Sequence, residues 1–218
     1  MHKLLYLVFF LFLLSPKGNS QPTHGYYENS LNMYNSGEVQ QALGEINKLL
    51  SIEPSNHDGL YLRGYIYLNT GQKQKALNDY EKLLELNPFH EGALTNHALI
   101  HMELGNFDAA LTDLNKRVEM NPENWQALFD RAYCKGLKGD NAGAIADFKK
   151  VIDLNPDYAS AYANLGFSKI NALTSGGMIR PAPSQTRDAC SDLHKAEAMG
   201  DTTVAEMIRI YCELSYKH

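Results

Sequence analysis

Four prolines recur at an interval that constrains the fold more than any other feature of this chain. Pro54, Pro88, Pro122 and Pro156 stand 34 residues apart, and other residue types recur in step with them. A fixed period of this length is typical of architectures in which one unit cannot bury its apolar face alone and must stack on its neighbours. The sequence therefore predicts an array of stacked helical units.

Each unit shows the same alternation of small, turn-forming and large apolar residues. With the proline at position 32, the units are 23–56, 57–90, 91–124 and 125–158. Position 15 is always glycine, which can adopt the positive φ that follows a helix, and the proline cannot continue a helix interior. Each unit is therefore predicted to contain two antiparallel helices. The small residues are Ser30, Gly64, Ala98, Ala132 and Gly166 at position 8, and Ala42, Ala76, Ala110 and Ala144 at position 20. The glycines at position 15 are Gly37, Gly71, Gly105 and Gly139. The large residues are Tyr26, Leu60, Leu94 and Leu128 at position 4, and Ile46, Tyr80, Leu114 and Phe148 at position 24.

This pattern resembles the tetratricopeptide repeat family across roughly residues 23–201. The segments ALNDYEKLLELNP (76–88) and AIADFKKVIDLNP (144–156) are similar to the family's second helix almost residue for residue. The resemblance implies an all-α, right-handed solenoid over 21–201 with an atypical fifth repeat, 159–201, that carries an insertion at about 171–186. Residues 202–218 are predicted to form a capping helix with an apolar face at Val204, Ile208 and Tyr211, which would shield the last repeat.

Charged residues occupy two positions that an antiparallel hairpin brings together. Because the helices of a unit reverse at position 15, position 7 lies opposite position 23. The sequence predicts three stabilising pairs at this seam, each of which would contribute about 0.5–1 kcal/mol if it is partly exposed. The pairs are Arg63–Asp79, His97–Asp113 and Arg131–Asp147.

The first 20 residues have the features of an export signal. His2 and Lys3 precede an apolar run over 4–14, which is short for a membrane span of about 20 residues. Gly18 and Ser20 favour cleavage after Ser20, which would remove two lysines and change the net charge from −5 to −7. The chain is therefore expected to be periplasmic or secreted, with no transmembrane anchor after cleavage. An uncleaved N-terminal anchor is the alternative.

Two of the three cysteines fall on the last two predicted helices. If these helices are antiparallel about a turn near Gly200-Asp201, residue 190 faces residue 212. In an exported chain this favours a disulfide between Cys190 and Cys212. The alternative is two buried thiols that pack as small apolar groups. Cys134 has no evident partner and is predicted to be a core residue.

Motifs for catalysis are missing from the sequence. It contains no glycine-rich phosphate loop, no paired CxxC and no GxSxG. His97 and His101 lie four residues apart, a spacing that can hold a metal, but the pattern places no third ligand and both occupy scaffold positions. We therefore expect no enzymatic activity, no metal and no cofactor.

The resemblance also places a partner-binding groove on the first helices of the repeats, at positions 2, 5, 6, 9, 12 and 13. Aromatic rings supply large contact areas at low entropic cost, and asparagines pair with peptide backbone, so these residues favour a protein or peptide partner. Equally, several of the aromatic side chains could pack within the core. The candidate groove residues are Tyr27, Tyr34, Tyr61, Tyr65, Asn69, Asn96, Met102, Phe129, Tyr133, Asn164 and Phe167.

Charge excludes two classes of partner. The acidic chain has no basic stripe with which to neutralise a phosphate backbone, so nucleic acid is not expected. The groove positions named above carry no Lys or Arg, so the carboxylate clamp that chaperone-binding family members use is not expected either. The sequence predicts a non-catalytic interaction scaffold or adaptor. A structural subunit of an envelope assembly and a small-molecule or metal-binding receptor remain alternatives.

Overall fold

The computed structural model describes residues 22–175, 177 and 181–213. The signal peptide predicted at 1–20, with its cleavage site, lies outside these residues, as do 214–218 of the predicted cap. The described part of the chain contains ten α-helices of 13 to 16 residues. They are α1 (Pro22–Asn35), α2 (Val39–Ile52), α3 (His57–Asn69), α4 (Lys73–Leu86), α5 (Glu91–Glu103), α6 (Phe107–Met120), α7 (Trp125–Lys138), α8 (Asn141–Leu154), α9 (Ala159–Thr174) and α10 (Pro183–Ala198).

The helices pack in sequential pairs, as the period predicts. Each helix contacts the next along the chain, and the first helices of successive repeats also touch, as in α1–α3, α3–α5 and α7–α9. The chain is an all-α solenoid, and its first helices share one surface. Within the described residues, none of the helices combines the length and the apolarity needed to cross a membrane.

The turn glycines and the spaced prolines act where the sequence predicts. Gly37, Gly71, Gly105 and Gly139 all have positive φ, between 75° and 90°, at the turn inside each repeat. Each second helix ends two residues before its proline, as α4 does at Leu86 before Pro88. The helices therefore begin and end at the same positions of each 34-residue repeat.

Small residues let the two helices of a repeat approach closely. A Cβ added to Gly64 would lie 2.8 Å from the ring of Tyr80, and one added to Gly166 would lie 2.6 Å from Leu193. In the first repeat the same position is Ser30, which is buried and donates its hydroxyl to the carbonyl of Ala42 at 2.9 Å. The core of each repeat is thus built around a tight crossing of small against large residues.

The two helices of the fifth repeat extend into the insertion that is predicted at about 171–186. Helix α9 continues to Thr174, because no helix-breaking residue precedes Ser175, and Thr174 donates its hydroxyl to the carbonyl of Ile170. Helix α10 begins at Pro183, whose fixed φ suits a first helical position, and Gln185 accepts a hydrogen bond from the backbone of Ala182 at 2.8 Å. The connecting segment is therefore 175–182, within which 176 and 178–180 are outside the described residues.

The C-terminal cap is helical, but it is not the single α-helix that the sequence predicts. A 3₁₀ turn at Thr202–Val204 passes through three α-helical residues into a π-helix at Ile208–Glu213. The buried row is Val204, Ile208 and Cys212, spaced by four residues, and Tyr211 is only partly buried. Cys212 therefore joins the buried row, and Tyr211 packs against the same cluster from its edge.

A disulfide joins the cap to the last repeat. Cys190 on α10 is bonded to Cys212, with the two Cα atoms 5.7 Å apart, and the side chains pack with Leu193 and Ala196. The structure thus contains the pairing that the sequence favours. Cys134, as predicted, is a buried free cysteine.

Candidate functional site

An apolar side chain stands at position 9 of every first helix, on the surface that these helices share. We call these five residues the position-nine row: Leu31, Tyr65, Leu99, Tyr133 and Phe167. Tyr65, Leu99 and Tyr133 in its centre are 39%, 42% and 43% exposed, and large apolar side chains are also exposed at one repeated position of the second helices, namely Ile52, Leu86, Met120 and Leu154. Leu99 was not among the residues predicted for the groove, although it holds the same position as the two tyrosines.

Aromatic rings cluster at the N-terminal end of the groove. Tyr65 lies 5.9 Å from Tyr34 and 6.4 Å from Tyr61, measured between ring centroids. Tyr61 also packs on Tyr80 and on His90, at 6.0 Å and 5.1 Å. The half-buried Tyr61 therefore supports the cluster, whereas the ring of Tyr65 is the more exposed.

A second aromatic cluster lies in the fourth repeat. The rings of Phe129 and Tyr133 are nearly parallel, with centroids 6.5 Å apart. Phe129 also contacts Phe148 at 5.5 Å and Tyr158 at 5.0 Å, so it is mainly a packing residue. Of the pair, Tyr133 presents the larger exposed surface.

The remaining predicted groove residues divide by exposure and by hydrogen bonding. Asn69 is exposed and donates to the carbonyl of Tyr65, whereas the half-buried Asn96 donates to the hydroxyl of Tyr80, both at 3.0 Å. Asn164 donates to the carbonyl of Ser160 at 2.8 Å. Burial raises the pKa of the Tyr80 hydroxyl. The other predicted residues, all half-buried, are Tyr27, Tyr34, Met102 and Phe167.

A cavity opens in the groove between the fourth and fifth repeats. Its volume is about 170 Å³, and Phe148 lies among its buried lining residues. None of its lining residues is charged. They are Tyr133, Gly136, Leu137, Phe148, Asn164, Phe167, Ser168 and Asn171.

The electrostatics of the groove change along its length. At the N-terminal end Glu28 and Asp58 line a second cavity with Tyr27, and burial together with these two carboxylates raises the pKa of the Tyr27 hydroxyl. Farther along, Asp130 accepts a hydrogen bond at 2.6 Å from Arg117, a buried arginine on α6. This contact could not be predicted from the repeat pattern, because Arg117 belongs to a second helix and reaches a first helix of the next repeat.

The three predicted ion pairs at the hairpin seam are confirmed. Arg63 and Arg131 each donate two hydrogen bonds to their aspartates at 2.6–2.8 Å, and His97 Nδ1 lies 2.7 Å from Asp113 Oδ2. The carboxylates of all three pairs are buried, so the contribution given for partly exposed pairs does not apply to them. The carboxylates of these pairs therefore belong to the interior of the repeat, where removal of one partner would leave a buried charge without compensation.

His97 and His101 are close but do not form a metal site with other ligands. Their ring centroids are 4.5 Å apart, and the structure groups no three His, Cys, Asp or Glu side chains around a common point within the described residues. Glu81 is 4.0 Å from His97 Nε2. Burial, and secondarily the neighbouring His97, lower the pKa of His101.

Comparison with known proteins agrees with the repeat architecture. Two models of the tetratricopeptide repeat match the chain, one over residues 95–159 and one over 57–90. The chain belongs to the tetratricopeptide repeat family, whose members are typically non-catalytic scaffolds for protein–protein interaction. No curated protein matches it in sequence.

Solved structures share the fold over most of the chain. MamA 41-end from Desulfovibrio magneticus RS-1 is 20% identical, with a TM-score of 0.71 over 83% of this chain and 97% of that one. YrrB, described as a TPR protein with an unusual peptide-binding site, is 21% identical, with a TM-score of 0.72 over 84% and 90%. A repeat protein from Parabacteroides merdae ATCC 43184 is 23% identical, with a TM-score of 0.63 over 88% and 85%. At these identities the likeness shows the fold alone.

Proposed function

We propose that this protein is an exported, non-catalytic adaptor that holds an extended segment of a partner protein along the position-nine row. The observation that carries this proposal is the exposure of Tyr65, Leu99 and Tyr133 at one repeated position. Apolar side chains that remain exposed in a continuous row mark interaction surfaces more often than isolated ones do.

The position of the row explains why it is free for a partner. The second helices cover one side of the first helices, so the side chains at positions 7 and 11 are used within the solenoid, as in Arg63–Asp79. The side chain at position 9 projects from a different face of the helix than those at positions 7 and 11, since residues two apart do not share a face. YrrB, which shares this fold, is described as having an unusual peptide-binding site, and peptide binding by this chain is proposed by analogy with it.

Export is proposed from the N-terminal sequence and from the chemistry of the cap. An apolar run of 11 residues before Gly18 and Ser20 favours cleavage, and a disulfide such as Cys190–Cys212 persists in oxidising compartments. Intact-mass spectrometry of the secreted protein, alkylated without reduction, tests both. We expect a chain that begins at Gln21 and carries one alkyl group, on Cys134, after unfolding. Retention of residues 1–20, or alkylation at all three cysteines, would contradict the proposal.

Binding along the row can be tested with peptides selected from a random displayed library on the mature chain, residues 21–218. The test variant replaces Tyr65, Leu99 and Tyr133 by alanine. Its matched control replaces Ile52, Leu86 and Leu154, which are 54%, 42% and 39% exposed but lie on the second helices. Both variants remove three similarly exposed apolar side chains, so the two variants should differ little in stability and in non-specific binding.

We expect the selected peptides to lose at least about tenfold in affinity for the row variant, because each exposed aromatic or leucine side chain buries its area only on binding. The control variant should bind as the wild type does. Isothermal titration calorimetry provides the comparison. If the control variant loses binding and the row variant keeps it, the partner surface lies on the second helices, and the chain is better described as a subunit that assembles through them.

A further inference from the structure

Neither the backbone conformation nor close packing requires a glycine at Gly136 in the groove. Position 12 is a large apolar residue in four repeats, Tyr34, Leu68, Met102 and Ile170, but it is Gly136 in the fourth. Gly136 lies inside α7, where glycine is disfavoured relative to alanine. Its φ is not positive, in contrast to that of Gly139 at the end of the same helix.

Close packing does not require this glycine either. A Cβ at Gly136 would meet the Cβ of Ala144 at 3.9 Å and the hydroxyl of Ser168 at 4.0 Å, which are ordinary contact distances. At Gly64 and Gly166, by comparison, the added atom would lie within 2.8 Å of a neighbouring side chain. The effect of Gly136 is therefore to leave space where the other repeats carry a side chain.

That space is the cavity between the fourth and fifth repeats. Its volume of about 170 Å³ is close to that of an engineered apolar cavity of about 150 Å³ that holds a benzene molecule. It therefore has room for one leucine, isoleucine, methionine or phenylalanine side chain. Phe148 and Phe167 supply apolar contact, and the amides of Asn164 and Asn171 stand among the lining residues.

We propose that this cavity is the anchor pocket of the groove, and that it takes one large uncharged apolar side chain from an extended partner segment. The inference rests on the proposed function and names the chemistry of the partner. Asn164 donates its amide hydrogens to its own helix, at the carbonyl of Ser160, so its oxygen can accept a hydrogen bond from the backbone beside the anchor.

Charge complementarity defines the rest of the segment. The pocket has no charged lining residue to compensate a desolvated ion, so the anchor itself must be uncharged. The two nearby lysines of α7 are already paired, Lys135 with Asp147 and Lys138 with Asp108. At the other end of the groove Glu28 and Asp58 are exposed. The partner segment is therefore neutral or basic outside its anchor, and acidic segments are rejected.

The test fills the pocket with the side chain that the third repeat carries at the same position. Gly136→Met reproduces Met102, and Gly136→Ala, which adds only a methyl group, is the matched control. Peptides are selected from a random displayed library on the mature wild-type chain. The position that they share as a large apolar residue is then replaced by alanine and by aspartate. Affinities of all peptides for all three proteins are measured by isothermal titration calorimetry, and circular dichroism checks that each protein is folded.

We expect Gly136→Met to weaken the selected peptides by about tenfold or more and Gly136→Ala by less than about threefold, because burial of one side chain is worth roughly this factor. Replacing the anchor by alanine should cost as much on the wild type and little on Gly136→Met. Aspartate in place of the anchor should prevent measurable binding to the wild type.

The proposal is overturned if Gly136→Met binds the peptides as tightly as the wild type, or if anchor replacement costs the same on both proteins. If Gly136→Met leaves the affinity of the peptides unchanged but the Tyr65, Leu99 and Tyr133 variant lowers it, the proposed function would still hold and the proposal of this pocket would be overturned. Selection of peptides that share an acidic residue instead of an apolar one would overturn the stated partner chemistry. If no peptide is enriched on the wild type, both proposals fail.

Discussion

In the third repeat the buried carboxylate of Asp113 faces His97, whereas in the fourth the equivalent Asp147 faces both Arg131 and Lys135. The backbone geometry is the same in both, because the pairs join position 7 to position 23 across one hairpin. Only the cation differs. An arginine is always protonated, but a histidine can lose its charge near neutral pH.

The two repeats also differ in the direction and cause of the pKa shifts of the groups around these pairs. Burial alone would raise the pKa of Asp147, yet its hydrogen bonds to Arg131 and Lys135 outweigh burial and lower that pKa. In the third repeat burial lowers the pKa of His101, the residue that stands where Lys135 does in the fourth. The same scaffold position therefore holds a lysine that pairs with the buried aspartate in one repeat and a histidine whose charged form burial disfavours in its neighbour.

The largest expected effect comes from removing the two carboxylates in turn. Asp147→Asn leaves two partly buried cations without their counter-charge, and we expect a loss of about 2–3 kcal/mol in the free energy of unfolding, near the lower end of values for breaking a buried pair. Asp113→Asn leaves a histidine that can stay neutral and keep one hydrogen bond, so its loss should be about 1 kcal/mol. Urea unfolding of the mature chain at pH 7.5, followed by circular dichroism, measures both.

The ranking of these two variants is what tests the comparison. Equal losses would mean that the identity of the cation does not matter and that both aspartates act only by packing. A larger loss at Asp113 would contradict the prediction, because the carboxylate that faces both an arginine and a lysine would then be the less costly one to neutralise. Arg63 and Asp79 in the second repeat offer a further control, because they also form a bidentate pair.

The seam also shows which features could be predicted from sequence. The 34-residue period, the turn glycines and the pairing of position 7 with position 23 all follow from local helix geometry, so Arg63–Asp79 could be predicted without coordinates. The hydrogen bond from Arg63 to Asn47 could not, because Asn47 lies on the second helix of the preceding repeat and the contact depends on how successive repeats stack. The same holds for Arg117–Asp130 and for the cavity beside Gly136, each of which involves two successive repeats.

The smallest expected effect is a difference in acid sensitivity. The pKa of His101 is lowered from its ordinary value of 6.5 in the folded chain, so the unfolded chain binds a proton first as the pH falls. The stabilisation from neutral His101 is fully present above pH 6.5 and is lost as the pH falls below that value toward the lowered folded pKa. Burial and His97 act in this direction, and the more weakly acting carboxylates of Asp113 and Glu81 oppose it.

His101→Tyr isolates this contribution, because the second repeat carries Tyr67 at the same position. We expect the free energy of unfolding of the wild type to fall more steeply between pH 7 and pH 5 than that of His101→Tyr, when both are measured by urea unfolding at several pH values. His194→Gln is the matched control, since His194 is exposed and its removal should leave the slope unchanged. An identical slope in the wild type and His101→Tyr would show that His101 adds no acid sensitivity to the third repeat, which contradicts the prediction.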